Sequence, residues 1–337
     1  MPASPLNLGA IADTTNVAIQ KMFKKDSEAQ DGALQLKRYY NFRTTEDYIE
    51  KDSSLSGLSE AEFTDENAEI TEDVPVQGYD QTYTQEAVDV LVPFTYRAWK
   101  FGIKKRKLNN IAKEINRALN RKKERLAAER LTNGFSTSYT HQGRGGKNKS
   151  ITLTGGDGLE PWSTAHTRED GGANMNNVVY DGTTYSLPFD YAGLKAAHRT
   201  AALFVDPRGN PMPGKLDTLV CKTGSSVAFK AKEILKAIQN GKIPESNDND
   251  GAGVAAFKVI ELDYLTQDAY WFMFDSTSAL SDEYGFQFIE SEANNLDPVN
   301  IVYKTREMQF AGHTMFQLGH NDVARCWVAS AGDSTTS

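Results

Sequence analysis

The sequence predicts a mixed α+β fold, and three features predict it. Two strand-like segments flank a long acidic stretch between residues 46 and 90. One amphipathic helix runs from about Thr95 to Asn133. From Phe189 onward, short amphipathic helices alternate with β-rich segments, and the chain closes on long strands.

The 337 residues are 39% apolar and 24% charged, ordinary for a globular protein with a self-sufficient core. No run approaches the roughly 18 apolar residues of a membrane span. The first residues, MPASPLNLGA, lack the basic start and apolar run of a signal peptide. Cys221 and Cys326 form neither a disulfide framework nor a metal spacing, which fits a reducing compartment and synthesis in the cytoplasm. A net charge of −8 argues against a dedicated nucleic-acid binder. That total hides a split. Glu46–Asp89 holds fourteen acidic residues and one basic, Lys51, whereas Ile103–Asn133 holds eleven basic and three acidic. Such a separation of sign along one chain points to paired surfaces.

The elements follow in order. Residues 1–35 are mixed and polar, with an amphipathic turn or two at Thr15–Phe23, and form an arm that must lean on something else. Lys37–Tyr48 (KRYYNFRTTEDY) has the aromatic and β-branched content of a strand. The acidic stretch after it offers only Leu55, Leu58, Phe63 and Ile70 as sparse apolar groups, too few to fold alone. Tyr79–Phe94 reads as a second strand, with Val88, Val90 and Val92 alternating with Ala87, Asp89 and Leu91. Together they make a long projecting hairpin, and an isolated two-stranded ribbon is marginal in water.

In the long helix, Leu108, Ile111, Ile115, Leu119, Leu126 and Ala127 recur at helical spacing, and Gly134 stands at its stop. Its apolar stripe is narrow and its other faces are basic. A solvated face accounts for single lysines there, less well for an excess of eight positive charges. Gly134 to Leu187 is a Gly- and Asn-rich loop region with short strands at Ser150–Thr154 and Asn177–Tyr180. A compact α/β unit follows: helix Phe189–Leu203, the turn DPRGNPMPG, strand Thr218–Lys222, helix Ser225–Asn240 capped by Ser225 or Ser226 and by Gly241, and strands Ala256–Leu262 and Tyr270–Asp275. Gly285–Ala329 is strand-rich, and the tail SAGDSTTS lacks structure-forming residues.

Chemistry is sparse. The histidines (His141, His166, His198, His313, His320) are scattered without metal-ligand spacing. GRGGKNKS at Gly143–Ser150 fails the phosphate-loop pattern, with His141 where glycine is required and Asn148 where Ser or Thr is required. No nucleophile elbow occurs, and GGDG at Gly155–Gly158 has no companion ligands. Carboxylates on an open polar loop keep ordinary pKa values, unsuited to acid–base catalysis. The residues assign no catalytic group, cofactor or metal.

The element order, with RYYNF at 38–42, PVQGYDQTY at 75–83, LNRKKERLAAERLTNGF at 119–135, PWSTAH at 161–166, VDPRGNP at 205–211 and SDEYGFQF at 281–288, resembles the major capsid proteins of tailed bacteriophages, the HK97 fold. The resemblance covers nearly the whole chain. It implies an N-terminal arm (1–35), an extended E-loop hairpin (36–94), a long spine helix with the first part of a P-domain sheet (95–188), an α/β A-domain (189–277), the second part of the P-domain (278–332) and a disordered tail (333–337). It further implies a non-enzymatic subunit that self-assembles as hexamers and pentamers into an icosahedral virion head around double-stranded DNA, contacted non-specifically, with a portal and a decoration protein as further partners and no membrane. The start lacks the long helical segment that some members carry as a scaffolding domain, which implies a separate scaffolding protein. Lys51 is the one lysine between residues 46 and 90 and lies near the loop base, so no isopeptide cross-link is expected.

In that fold the hairpin of one subunit lies across its neighbour. Asp65, Glu66, Glu69, Glu72 and Asp73 are then expected to face Lys113, Arg117, Arg121 and Lys122 of an adjacent copy, with packaged DNA as the competing use of the helix lysines. An encapsulin-type compartment of the same fold and a small-molecule or enzymatic α/β domain at 189–277 are the rival readings.

Overall fold

The computed structural model describes residues 8–55, 58, 60–66, 69–74, 77–95, 105–240, 255–302 and 304–333. Helix α1 (Leu8–Asp31) opens the chain where the sequence predicts only a turn or two. It leans on the long helix α2 (Lys105–Asn133). Phe23 is buried with Ala112, Ile115 and Leu119, and Asn116 donates to Asp26 at 3.2 Å. Over this stretch the arm's support is the chain's own helix.

Both predicted strands of the hairpin change. Of the first, Lys37–Tyr48, only β1 (Asn41–Thr44) is a strand, after a 3-10 turn at Gln35–Arg38, and β2 (Ile49–Leu55) forms beyond it, within the stretch expected to lack structure of its own. The second breaks at Gln85 into β3 (Gln77–Thr84) and β4 (Glu86–Thr95). The halves differ because their partners differ. β2 and β3 form an antiparallel ribbon, Ile49 facing Thr84 and Leu55 facing Gln77. β4 joins the main sheet, whose other strands are β10 (Gly285–Leu296), β11 (Asn300–Val302) and β12 (Glu307–Asn321) together with β1. β12 runs through its middle, pairing with β10 on one side and with β4 on the other. The alternation read from sequence is visible here: Val88, Val90, Val92 and Phe94 turn inward, Ala87, Asp89 and Leu91 outward.

Helix α2 has 29 residues, about 44 Å at 1.5 Å per residue. Thr95 ends β4 rather than starting the helix, and residues 96–104 and the Leu108 side chain lie outside the described residues. Ala112, Ile115, Leu119, Leu126, Ala127 and Leu131 are buried as their spacing requires. So are Asn116, Asn120, Lys123 and Arg130, so the covered stripe is wider than the apolar one. Asn294 donates to the side-chain oxygens of Asn116 and Asn120 at 2.7 and 2.6 Å. Lys123 meets Glu290 at 2.5 Å under the sheet. Gly134 serves close packing at the helix end: a Cβ there would lie 2.4 Å from the Trp162 indole nitrogen.

In the Gly-rich region β5 (Ser138–His141) pairs with β6 (Lys149–Thr152) as a small ribbon. The predicted strand at Asn177–Tyr180 is reduced to isolated bridges, Val178 with Ala329 and Tyr180 with Tyr185. The α/β unit contains α3 (Tyr191–Ala201), β7 (Thr218–Lys222), α4 (Ser226–Gln239), β8 (Lys258–Leu262), β9 (Trp271–Phe274) and α5 (Ser276–Ala279). Asp190 caps α3 and Ser225 caps α4 through their first-turn amides; Gly241 lies outside the described residues. Strand β13 (Trp327–Ser330) joins this sheet beside β9, in the order β13-β9-β7-β8, and not the sheet of the long strands before it. Ser330, assigned from sequence to the tail, is thereby buried in a strand; residues 334–337 lie outside the described residues. One face of this sheet packs on α3 and α4. The other shares a core with α2, β1, β10 and β12 around Trp162, Phe286 and Trp327.

Candidate inter-subunit surface

The β2/β3 ribbon is fixed at its base by a polar knot. Arg43 of β1 holds Glu50 at 2.6 Å and Asp52 at 2.7 Å. Asn321, at the end of β12, donates to Asp52 at 2.8 Å and accepts from the Tyr83 hydroxyl. Tyr83 is buried, which raises its hydroxyl pKa well above normal, with the Asp52 charge adding to the effect. Gly319 makes room for the Tyr83 ring, since a Cβ there would sit 1.9 Å from Cε1.

Beyond this knot the ribbon opens into the loop 58–74. Its described apolar residues are bare: Phe63 is 108% exposed and Ile70 79%. Asp65, Glu66, Glu69, Glu72 and Asp73 are exposed beside them. The returning limb touches the α/β unit, where Arg208 binds Asp73 at 2.9 Å and donates to the Val74 carbonyl. The turn carrying Arg208 is shaped by Asp206, which accepts from the Arg208 and Asn210 amides at 2.9 and 2.8 Å. These bonds outweigh partial burial and hold the Asp206 carboxyl below its usual range.

On α2, Lys113, Arg117 and Arg121 are exposed and Lys122 is half-buried. Arg117 pairs with Glu114 at 2.6 Å, one turn away on the same helix. Lys122 lies 2.6 Å from His141 Nε2. Burial lowers its pKa, with Glu129 opposing. Among the described residues, no ion pair joins Asp65, Glu66, Glu69 or Glu72 to Lys113, Arg117, Arg121 or Lys122. Sequence reasoning missed Arg43, Tyr83 and Gly319, whose signal is only their fit to partners far along the chain. Arg208 was visible as part of a turn but not as a tether.

The histidines serve packing and pairing. His166 Nδ1 bonds Asp157 at 2.7 Å, and His313 lies between Glu292 and Asp297 at 2.8 and 3.1 Å. His320 is buried beneath the ribbon, and desolvation pushes its pKa down to about 3, aided by the Arg130 charge. No group of three or more potential metal ligands occurs among the described residues, and no helix among them is long and apolar enough to cross a membrane.

No protein-family model matches the sequence, and no curated protein matches it. Solved structures do. A chain from Mycobacterium phage Patience superposes with a TM-score of 0.53 over 96% of this chain and 90% of its own, at 11% identity. One from Mycobacterium phage Adephagia gives 0.50 over 90% and 91%, at 12% identity. One from Microbacterium phage Oxtober96 gives 0.50 over 88% and 90%, at 9% identity. At such identities the common property is the backbone arrangement, and this chain shares its mixed α+β fold, along nearly its whole length, with proteins of these phages.

Proposed function

We propose that the chain is the major capsid protein of a tailed bacteriophage, a structural subunit that assembles with many copies of itself into an icosahedral head around double-stranded DNA. The observation that carries this reading is the loop 58–74, which exposes Phe63 and Ile70 to water from the end of an anchored ribbon, in a fold shared with phage proteins. Burying one such side chain is worth about 1.5–3 kcal/mol, against about 0–1 for an exposed ion pair. The apolar groups therefore supply adhesion, and the charges set register and encounter rate.

In this reading residues 1–35 are the arm, 36–94 the E-loop, 95–188 the spine helix with the first P-domain part, 189–277 the A-domain and 278–332 the second P-domain part, corrected in that β1 and β4 belong to the main sheet and β13 to the sheet of the A-domain. The five loop carboxylates face Lys113, Arg117, Arg121 and Lys122 of an adjacent copy. No catalytic step is assigned. A separate scaffolding protein, a portal and a decoration protein are its proposed partners, and the virion head its location. The likeness to phage proteins favours a genome container over an enzyme-loading compartment. Purified full-length chain examined by negative-stain microscopy and nuclease protection tests this: closed shells with protected DNA are expected from infected cells, whereas a compact monomer under every condition, with the loop ordered on its own body, overturns it.

A further inference from the structure

A cavity of about 330 Å³ opens between β3, the β5/β6 ribbon and β12, lined by Gln81, Tyr83, Thr152, Thr154, Gln317 and Arg130 among others. That is many times the roughly 10–15 Å³ needed for one water. Arg130 is only 7% exposed, yet no hydrogen bond or ion pair with another described residue engages its guanidinium. Glu86 also lines the space, with its Oε1 paired to Lys149 at 2.6 Å. Most of the residue is covered while its nitrogens keep access to the space, so an anion delivered there meets a permanently charged donor that no carboxylate of its own chain engages. Hydroxyls of Ser150, Thr152 and Thr154 on the same wall supply further donors for an oxyanion.

We infer that this cavity is an oxyanion site, and that in the assembled shell it receives a carboxylate from the acidic loop of a second copy. The occupant follows from charge: Asp65, Glu66, Glu69 and Glu72 are exposed and pair with no cation of their own chain among the described residues, while the returning limb of that loop is held elsewhere by Arg208. This deepens the shell reading and rests on it. It adds the largely buried Arg130 to the open-face cations of α2, as the partner of one of the loop carboxylates.

Two measurements test it. In the first, Thr152→Cys is combined in turn with Thr64→Cys, Asn67→Cys, Ala68→Cys and Thr71→Cys, each beside a loop carboxylate that is kept, and assembled shells are oxidised and run on non-reducing gels. A ladder of linked copies from at least one loop position is expected, weakened by Arg130→Met and kept by Arg130→Lys; normal shells without linkage at any position overturn the occupant. In the second, the unassembled full-length chain is melted in phosphate or acetate against chloride at equal ionic strength. A higher melting temperature in the oxyanion is expected for the wild type and the Arg130→Lys chain and not for Arg130→Met; equal melting of all three overturns the site itself. Phosphate stabilisation without cross-linking identifies a free-anion site and overturns the loop carboxylate. Failure of the wild type to form shells refutes the capsid reading, whereas either of the other negatives leaves that reading standing.

Discussion

Single side chains fix where the ribbon sits. Gly319 and Tyr83 are separated by more than two hundred positions, yet one exists to admit the other. Gly319→Ala is expected to cost about 1–3 kcal/mol by overpacking, read as a lower denaturation midpoint, and the cost should shrink in a Tyr83→Ala background. Lys123 and Glu290 form a buried pair at 2.5 Å, and burial lowers the Lys123 pKa, opposed by the Glu290 charge. Lys123→Met alone should destabilise by about 3–5 kcal/mol because it strands Glu290, and adding Glu290→Leu should restore much of that in the same melts. His320 gives a pH signature. Its folded pKa, near 3, lies below the about 6.5 of an unfolded histidine, so its neutral form is the one the fold keeps. Its contribution is complete above about pH 6.5 and falls by about 1.4 kcal/mol per unit as pH drops below that. His320→Gln should flatten this slope in urea titrations.

At the level of elements, the ribbon and its loop behave as different things. The β2/β3 ladder is tied down by Arg43 and Asn321, whereas the loop has little to bury. Arg43→Ala is expected to speed amide exchange in β2 and β3 by about tenfold or more while β10 and β12 keep their protection; uniform loss across the sheets would show that the knot supports the whole core. Replacing residues 58–74 by a short Gly-Ser turn should leave the melting temperature of the unassembled chain within a few degrees and abolish shells. On α2, Arg117→Glu with Arg121→Glu is expected to impair assembly of a normally folded chain, measured by sedimentation; normal shells from that variant would refute the proposed pairing on the open face.

For the whole molecule, two sheets and one long helix share a core around Trp162, Phe286 and Trp327. The returning chain is what makes them one body: β12 runs through the middle of the main sheet, and β13 then crosses into the α/β unit. The apolar alternation at Val88–Val92, the helical spacing from Ile111 to Ala127 and the cap at Ser225 were legible because they depend on neighbours a few residues away. So was the mixed α+β class. Only the tertiary structure decided that the second hairpin strand breaks at Gln85, that β13 changes sheets, and that Lys123 and Arg130 lie beneath the protein rather than on a basic face. Those outcomes are set by which surface arrives from hundreds of residues away, and local periodicity carries no record of it.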